Sequence, residues 1–159
     1  MKIKKCVFIS LVYISFFNYI EARPSFSKYE YSLNFFRNPS IGGEFRYEQV
    51  SIHAGYYVTN FEPNITTRFY KLGISYWFFP INLSMDKQKN PSSFYISQSY
   101  AKGINLDYKE KDTSMTEIGF RWVIWKGFNF RLGINALVAQ GETTKFNPTP
   151  GISYTFFYD

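Results

Sequence analysis

The residues best placed to do chemistry gather around His53, the one histidine of the chain. In the stretch "VSIHAGYYV", Ser51, His53, Gly55 and Tyr57 alternate with Val50, Ile52, Ala54, Tyr56 and Val58. A β-strand sends alternate side chains to one face, so Ser51, His53 and Tyr57 share a face. A histidine activates a serine when the two are within hydrogen-bond reach and a third group orients the ring. Residues two apart on a strand are separated by about 7 Å, so Ser51 is a poor nucleophile for His53. Glu44 or Glu48, just upstream, is the candidate orienting carboxylate. The competing expectation is that His53 is one member of an interior hydrogen-bond network with Glu and Tyr.

Other chemistry is thinner still. One His, no clustered carboxylates and no Cys beyond Cys6 do not make a metal site. The loop "DYKEKD", 107–112, lacks the glycine and the terminal Glu of a calcium loop. "SIGGEF" places two glycines inside a strand pattern, where they serve a bulge or close packing rather than a phosphate cradle. No metal and no cofactor are expected.

The N-terminus reads as a signal peptide over residues 1–22. "MKIKK" is basic, "CVFISLVYISFF" is apolar, and Ala22 offers a small residue at the cut, although Ile20 is larger than usual for its position. The apolar run is short for a helical span, which needs about 20 residues. Removing residues 1–22 takes three Lys and one Glu from a net charge of +6, which leaves +4. That charge is too mild to point to nucleic acid. The remaining chain, 23–159, has no cysteine, so disulfides and Cys-based metal sites are excluded there. It also has no run long and apolar enough for a transmembrane helix.

Period-two alternation runs through the rest. Eight segments show it: "KYEYSLNFF", "IGGEFRYE", "VSIHAGYYV", "FYKLGISYWFF", "SFYISQSYA", the two halves of "EIGFRWVIWKGFNFRLGI", and "GISYTFFY". Their polar sides carry Lys28, Glu30, Glu44, Arg46, Glu48, His53, Lys71, Glu117, Arg121 and Arg131, together with Gly42, Gly55, Gly73, Gly119, Gly133 and Gly151. Their greasy sides are rich in aromatics: Tyr31, Phe45, Tyr56, Tyr76, Phe120, Trp122, Phe130, Tyr154 and Phe156. Long polar links, "TNFEPNITT", "KGINLDYKEKDTS" and "QGETTKFNPTP", alternate with the tight ones at Glu48 and at "WKG". The segment from Pro80 to Ser92 is the exception the alternation does not account for.

Two architectures use such strands. A soluble lipocalin-like barrel turns the greasy face inward, around an apolar ligand. An outer-membrane barrel turns it to lipid and fills its interior with polar side chains. The inner glycines suit a narrow lumen that must also hold long charged side chains. The near balance of basic and acidic residues suits buried ion pairs. Aromatics near strand ends suit interfacial girdles. Strands of roughly 9–11 residues suit a tilted span. The expected fold is therefore an all-β, eight-stranded, antiparallel up-and-down transmembrane barrel.

On these segments, the signal peptide and the end "GISYTFFYD", the chain resembles the small eight-stranded outer-membrane barrels of Gram-negative bacteria, the group of the outer membrane protein A barrel. The resemblance covers nearly all of 23–159 and is one of pattern. It implies periplasmic termini, external long loops, contact with outer-membrane lipid and lipopolysaccharide, delivery by the barrel-assembly machinery, and a monomer. The terminal Asp159 departs from the aromatic ending usual in that group. Some such barrels modify lipid A through a His, so an enzyme built on His53 is the alternative to a structural or surface-interaction role. The local His–Ser signature of the deacylases is missing. The eight-strand count leaves no porin-like channel.

Overall fold

The computed structural model describes residues 24–36, 40–62, 65–83 and 90–159. The expected signal peptide lies outside them. Among the described residues nine strands form: β1 (Tyr29–Phe35), β2 (Ile41–Tyr47), β3 (Val50–Glu62), β4 (Ile65–Ile81), β5 (Ser92–Gly103), β6 (Asp112–Trp125), β7 (Phe128–Ala139), β8 (Lys145–Pro148) and β9 (Gly151–Tyr158). A short 3₁₀ turn, Leu106–Tyr108, lies between β5 and β6. Each strand pairs antiparallel with its neighbour, and β9 pairs with β1 to close the wall.

The nine strands make eight staves. β8 and β9 both pair with β7 in one unbroken register, Leu137↔Lys145 and Ile134↔Pro148 running on to Arg131↔Gly151 and Phe128↔Tyr154. Thr149 keeps its place in that ladder, its N–H donating to the Gly133 carbonyl at 2.8 Å. Pro148 and Pro150 flank it, and proline brings no N–H to a ladder. β1 ends at Phe35, opposite Ile152. The prolines therefore stand past the last β1 residue among the described residues.

The staves are more uneven than the alternation predicts. β1 and β2 have 7 residues each, β4 has 17. One sequence-predicted loop turns out to be largely strand, since "TNFEPNITT" supplies the end of β3 and the start of β4, and "QGETTKFNPTP" contains the four-residue β8. The tight turns fall where expected. Lys126 and Gly127 both have positive φ, 39° and 90°, as the hairpin turn matching strand twist requires. In the Pro80–Ser92 segment, β4 runs to Ile81 and β5 starts at Ser92, while 84–89 lie outside the described residues.

Paired residues can be followed round the wall from Tyr31 through Phe45, Ile52, Ile74, Gln98, Thr116 and Ala136 to Phe146. Extending the β9–β1 register from Phe146 brings the row back at the level of position 41, ten residues above its start. That offset in an eight-stave barrel tilts the strands by about 40°.

Candidate functional site

The wall is greasy outside and polar inside over most of its height. Leu33, Ile52, Leu72, Ile74, Ile96, Ile118, Leu132 and Ile134 all face outward and are exposed. This is the opposite orientation to the lipocalin alternative, which needs the greasy face inside. Tyr31, Tyr76, Trp122, Phe130, Tyr154 and Phe156 are exposed on the outside, and Phe45, Tyr56 and Phe120 are partly covered there by neighbouring side chains. Aromatics crowd the tight-turn end. Tyr31 and Phe45 pack at 4.9 Å, Phe94 and Phe120 at 4.8 Å, and Tyr154 and Phe156 at 5.0 Å.

Inside, the charged residues from five staves meet. Glu30 takes two arginines: Arg121 Nη1 donates to its Oε2 at 2.6 Å, and Arg46 pairs with its Oε1. Glu44 takes Arg131 at 2.9 Å and accepts the Ser51 hydroxyl at 2.5 Å. Glu117 pairs with Lys71 at 3.3 Å and accepts from Tyr95 at 2.5 Å and Thr149 at 3.0 Å. All of these charged groups are buried, where a lone charge would be costly and pairing is required.

Two basic and acidic assignments do not hold. Glu48 does not point inward: it stands exposed in the β2–β3 turn with φ 49°. Only its backbone reaches the network, its carbonyl accepting from Arg46 Nη1 at 2.7 Å. A two-residue turn ends the alternation one position early, which sequence parity does not register. Lys28 is likewise exposed, just before β1 begins.

Trp77 was not among the candidate residues, and it sits at the centre. The guanidinium carbons of Arg121, Arg131 and Arg46 lie 4.6, 5.0 and 5.5 Å from its ring centroid. Its indole N–H donates to Ser51 at 2.9 Å. Tyr95 packs against it at a tilt, with centroids 5.0 Å apart, and lies 4.9 Å from the Arg131 guanidinium carbon. Buried aromatic faces attract cations. The signal was in the sequence, because Trp77 has the parity of Lys71, Gly73 and Ser75.

His53 lies apart from this chemistry. Its partners are serines, Ser99 at 3.0 Å from Nε2 and Ser75 at 3.2 Å from Nδ1. Ser51 is engaged by Glu44 and Trp77 instead, and neither Glu44 nor Glu48 orients the ring. A hydroxyl at each ring nitrogen supplies no charge to support an imidazolium. His53 reaches Ser99 by crossing β4 above Gly73, with which it is paired. A Cβ on Gly73 would lie 2.5 Å from the Gln98 carbonyl and 2.8 Å from His53 Nε2. Gly73→Ala should therefore cost about 1–3 kcal/mol through overpacking, read from urea titration of the folded chain in detergent.

The interior changes character toward the long-loop end. On β3 to β7 the inward series passes from His53, Lys71, Ser99, Glu117 and Asn135 to Tyr57, Phe69, Ala101, Met115 and Leu137, a buried apolar cluster. Tyr108, from the 3₁₀ turn, closes it, 5.4 Å from Phe69. The outward series changes in the reverse sense, to Asn60, Arg68, Gln98, Thr116, Ser114 and Asp112. On β7 only the inward side changes, since Ala136 and Val138 stay apolar outside. At the tight-turn end Phe26 lies 4.3 Å under Arg46, and Ser27 bonds Asn90. The described residues show no group of His, Cys, Asp or Glu able to hold a metal ion. No protein-family model, curated protein or solved structure matches the chain.

Proposed function

We propose that this chain is an integral outer-membrane β-barrel of a Gram-negative envelope, with a structural or surface-interaction role rather than an enzymatic one. One observation carries the reading: paired charges lie within a wall whose outside is a continuous belt of exposed Leu, Ile, Phe, Tyr and Trp. In water such a belt would aggregate. In hydrocarbon it is the favoured surface, and a closed antiparallel wall leaves no backbone group unbonded.

The reversal of polarity near Gln98, Thr116 and Tyr57 supports an upper boundary there, with the tops of β3 to β6 standing in water. The long loops then face the outside and both termini the periplasm. Lipopolysaccharide surrounds the belt, and the assembly machinery inserts it. The interior is filled and capped, so it passes no solutes freely. The His53 alternative has less support, because the ring holds no carboxylate and lies inside a filled lumen.

Fractionation tests the reading. The expected result is a chain extracted from the outer-membrane fraction only by detergent, whose gel mobility shifts on boiling. A band in the aqueous fraction with no shift would overturn it.

A further inference from the structure

The buried charges do not balance. Among the described residues Arg46, Lys71, Arg121 and Arg131 are buried against Glu30, Glu44 and Glu117. The interior therefore holds one positive charge in excess. Lys71 pairs with Glu117 and Arg131 with Glu44, which leaves Arg46 and Arg121 to share Glu30. The aromatic faces of Trp77 and Tyr95 soften the excess without cancelling it.

The hydrogen bonding is unbalanced in the same sense. Asn34 Nδ2 and Arg131 Nε are buried donors with no acceptor, and the buried Ser97 hydroxyl has no partner. All three residues line one internal cavity of about 20 Å³, together with His53 and Lys71. That volume holds a single water-sized body. A carboxylate, Glu117, also lines the cavity, and it is already engaged by Lys71, Tyr95 and Thr149.

We infer that this cavity binds one small monovalent anion of the halide class, chloride in ordinary media, between Asn34 Nδ2, the Arg131 guanidinium and the Ser97 hydroxyl. A water molecule would satisfy the donors and leave the charge unmatched. A halide satisfies the donors and brings the interior as a whole to neutrality, since Arg46 and Arg121 share one carboxylate, and sulfate or phosphate is too large for the space. The site does not depend on where the barrel resides, since the charge excess and the cavity are internal.

The test uses the full chain folded in detergent and crystallised with bromide in place of chloride. An anomalous peak in the cavity is expected, and its loss in Asn34→Asp, whose carboxylate takes over the anion's role while still accepting from Arg131. In solution the unfolding midpoint should be higher by about 3 °C or more in chloride than in gluconate at equal ionic strength, and Asn34→Asp should remove that difference. A folded wild-type crystal without bromide in the cavity would overturn the site, whatever the variant does. So would a peak that persists unchanged in Asn34→Asp.

Discussion

Ile118→Arg is expected to cost about 2–4 kcal/mol of folding stability in a phospholipid bilayer, the penalty of a cation on the lipid face near mid-depth. Ile118 is 56% exposed and sits between Ile96 and Ile134 on the neighbouring staves. Nothing in the protein would clash with the new side chain, so the cost comes from the surroundings alone. Ser114→Arg, also outward on β6 but beyond the reversal of polarity, should cost about 0–1 kcal/mol. Urea titrations of vesicle-inserted protein, followed by tryptophan fluorescence, give both values. In a water-soluble barrel both changes would fall within about 0.5 kcal/mol of wild type, as ordinary surface substitutions do. Equal, near-zero effects would therefore overturn the membrane reading.

Glu30→Leu is expected to cost about 3–5 kcal/mol, because it strands Arg46 and Arg121 as buried charges with their shared carboxylate gone. Both pairs are almost wholly out of solvent, at 1–3% side-chain exposure. Glu48→Ala, removing a carboxylate two residues from Arg46 in the sequence, should change stability by less than about 0.5 kcal/mol. The pair of measurements separates the interior acids from the exposed one. In Glu30→Leu combined with Arg46→Leu, part of the loss should return, since residues in one network are not additive. A Glu30→Leu barrel as stable as wild type would show that the ion pairs contribute nothing to the fold.

The strands that carry strict alternation were legible because a period of two survives only where both faces have fixed and opposite surroundings. Lys71, Gly73, Ser75 and Trp77 against Leu72, Ile74, Tyr76 and Phe78 left one assignment for β4. The same logic failed where the surroundings change along a strand. In β5, Gln98 breaks the greasy side at the height where Ala101 begins the apolar inner cluster. Sequence alone presents this as a rough strand rather than a boundary. β8 was hidden by Pro148 and Pro150, which read as loop signals although their stave keeps register. For the site, parity identified Glu30, Glu44, Arg46, Lys71, Glu117, Arg121 and Arg131 as one face. It could not say that Ser51 turns to Glu44 and that His53 crosses Gly73 to Ser99. Those choices depend on the offset between staves, and no local pattern encodes it.

The reversal of polarity has a consequence for how this chain tolerates change. β4, with 17 residues at its tilt, rises about 40 Å along the barrel axis, against about 25 Å for the apolar band of an outer-membrane barrel. The remainder is a small collar with a core of Tyr57, Phe69, Met115 and Leu137, built by the rules of a water-soluble domain. Two opposite substitution grammars thus meet on single strands. Below the line a charge is tolerated only inside and with a partner, and a leucine only outside; above it, on β3 to β6, the permissions exchange. On the proposed membrane reading, loops mounted on such a collar can drift in sequence and length without touching the belt that lipid would constrain, so the two parts are free to evolve at different rates.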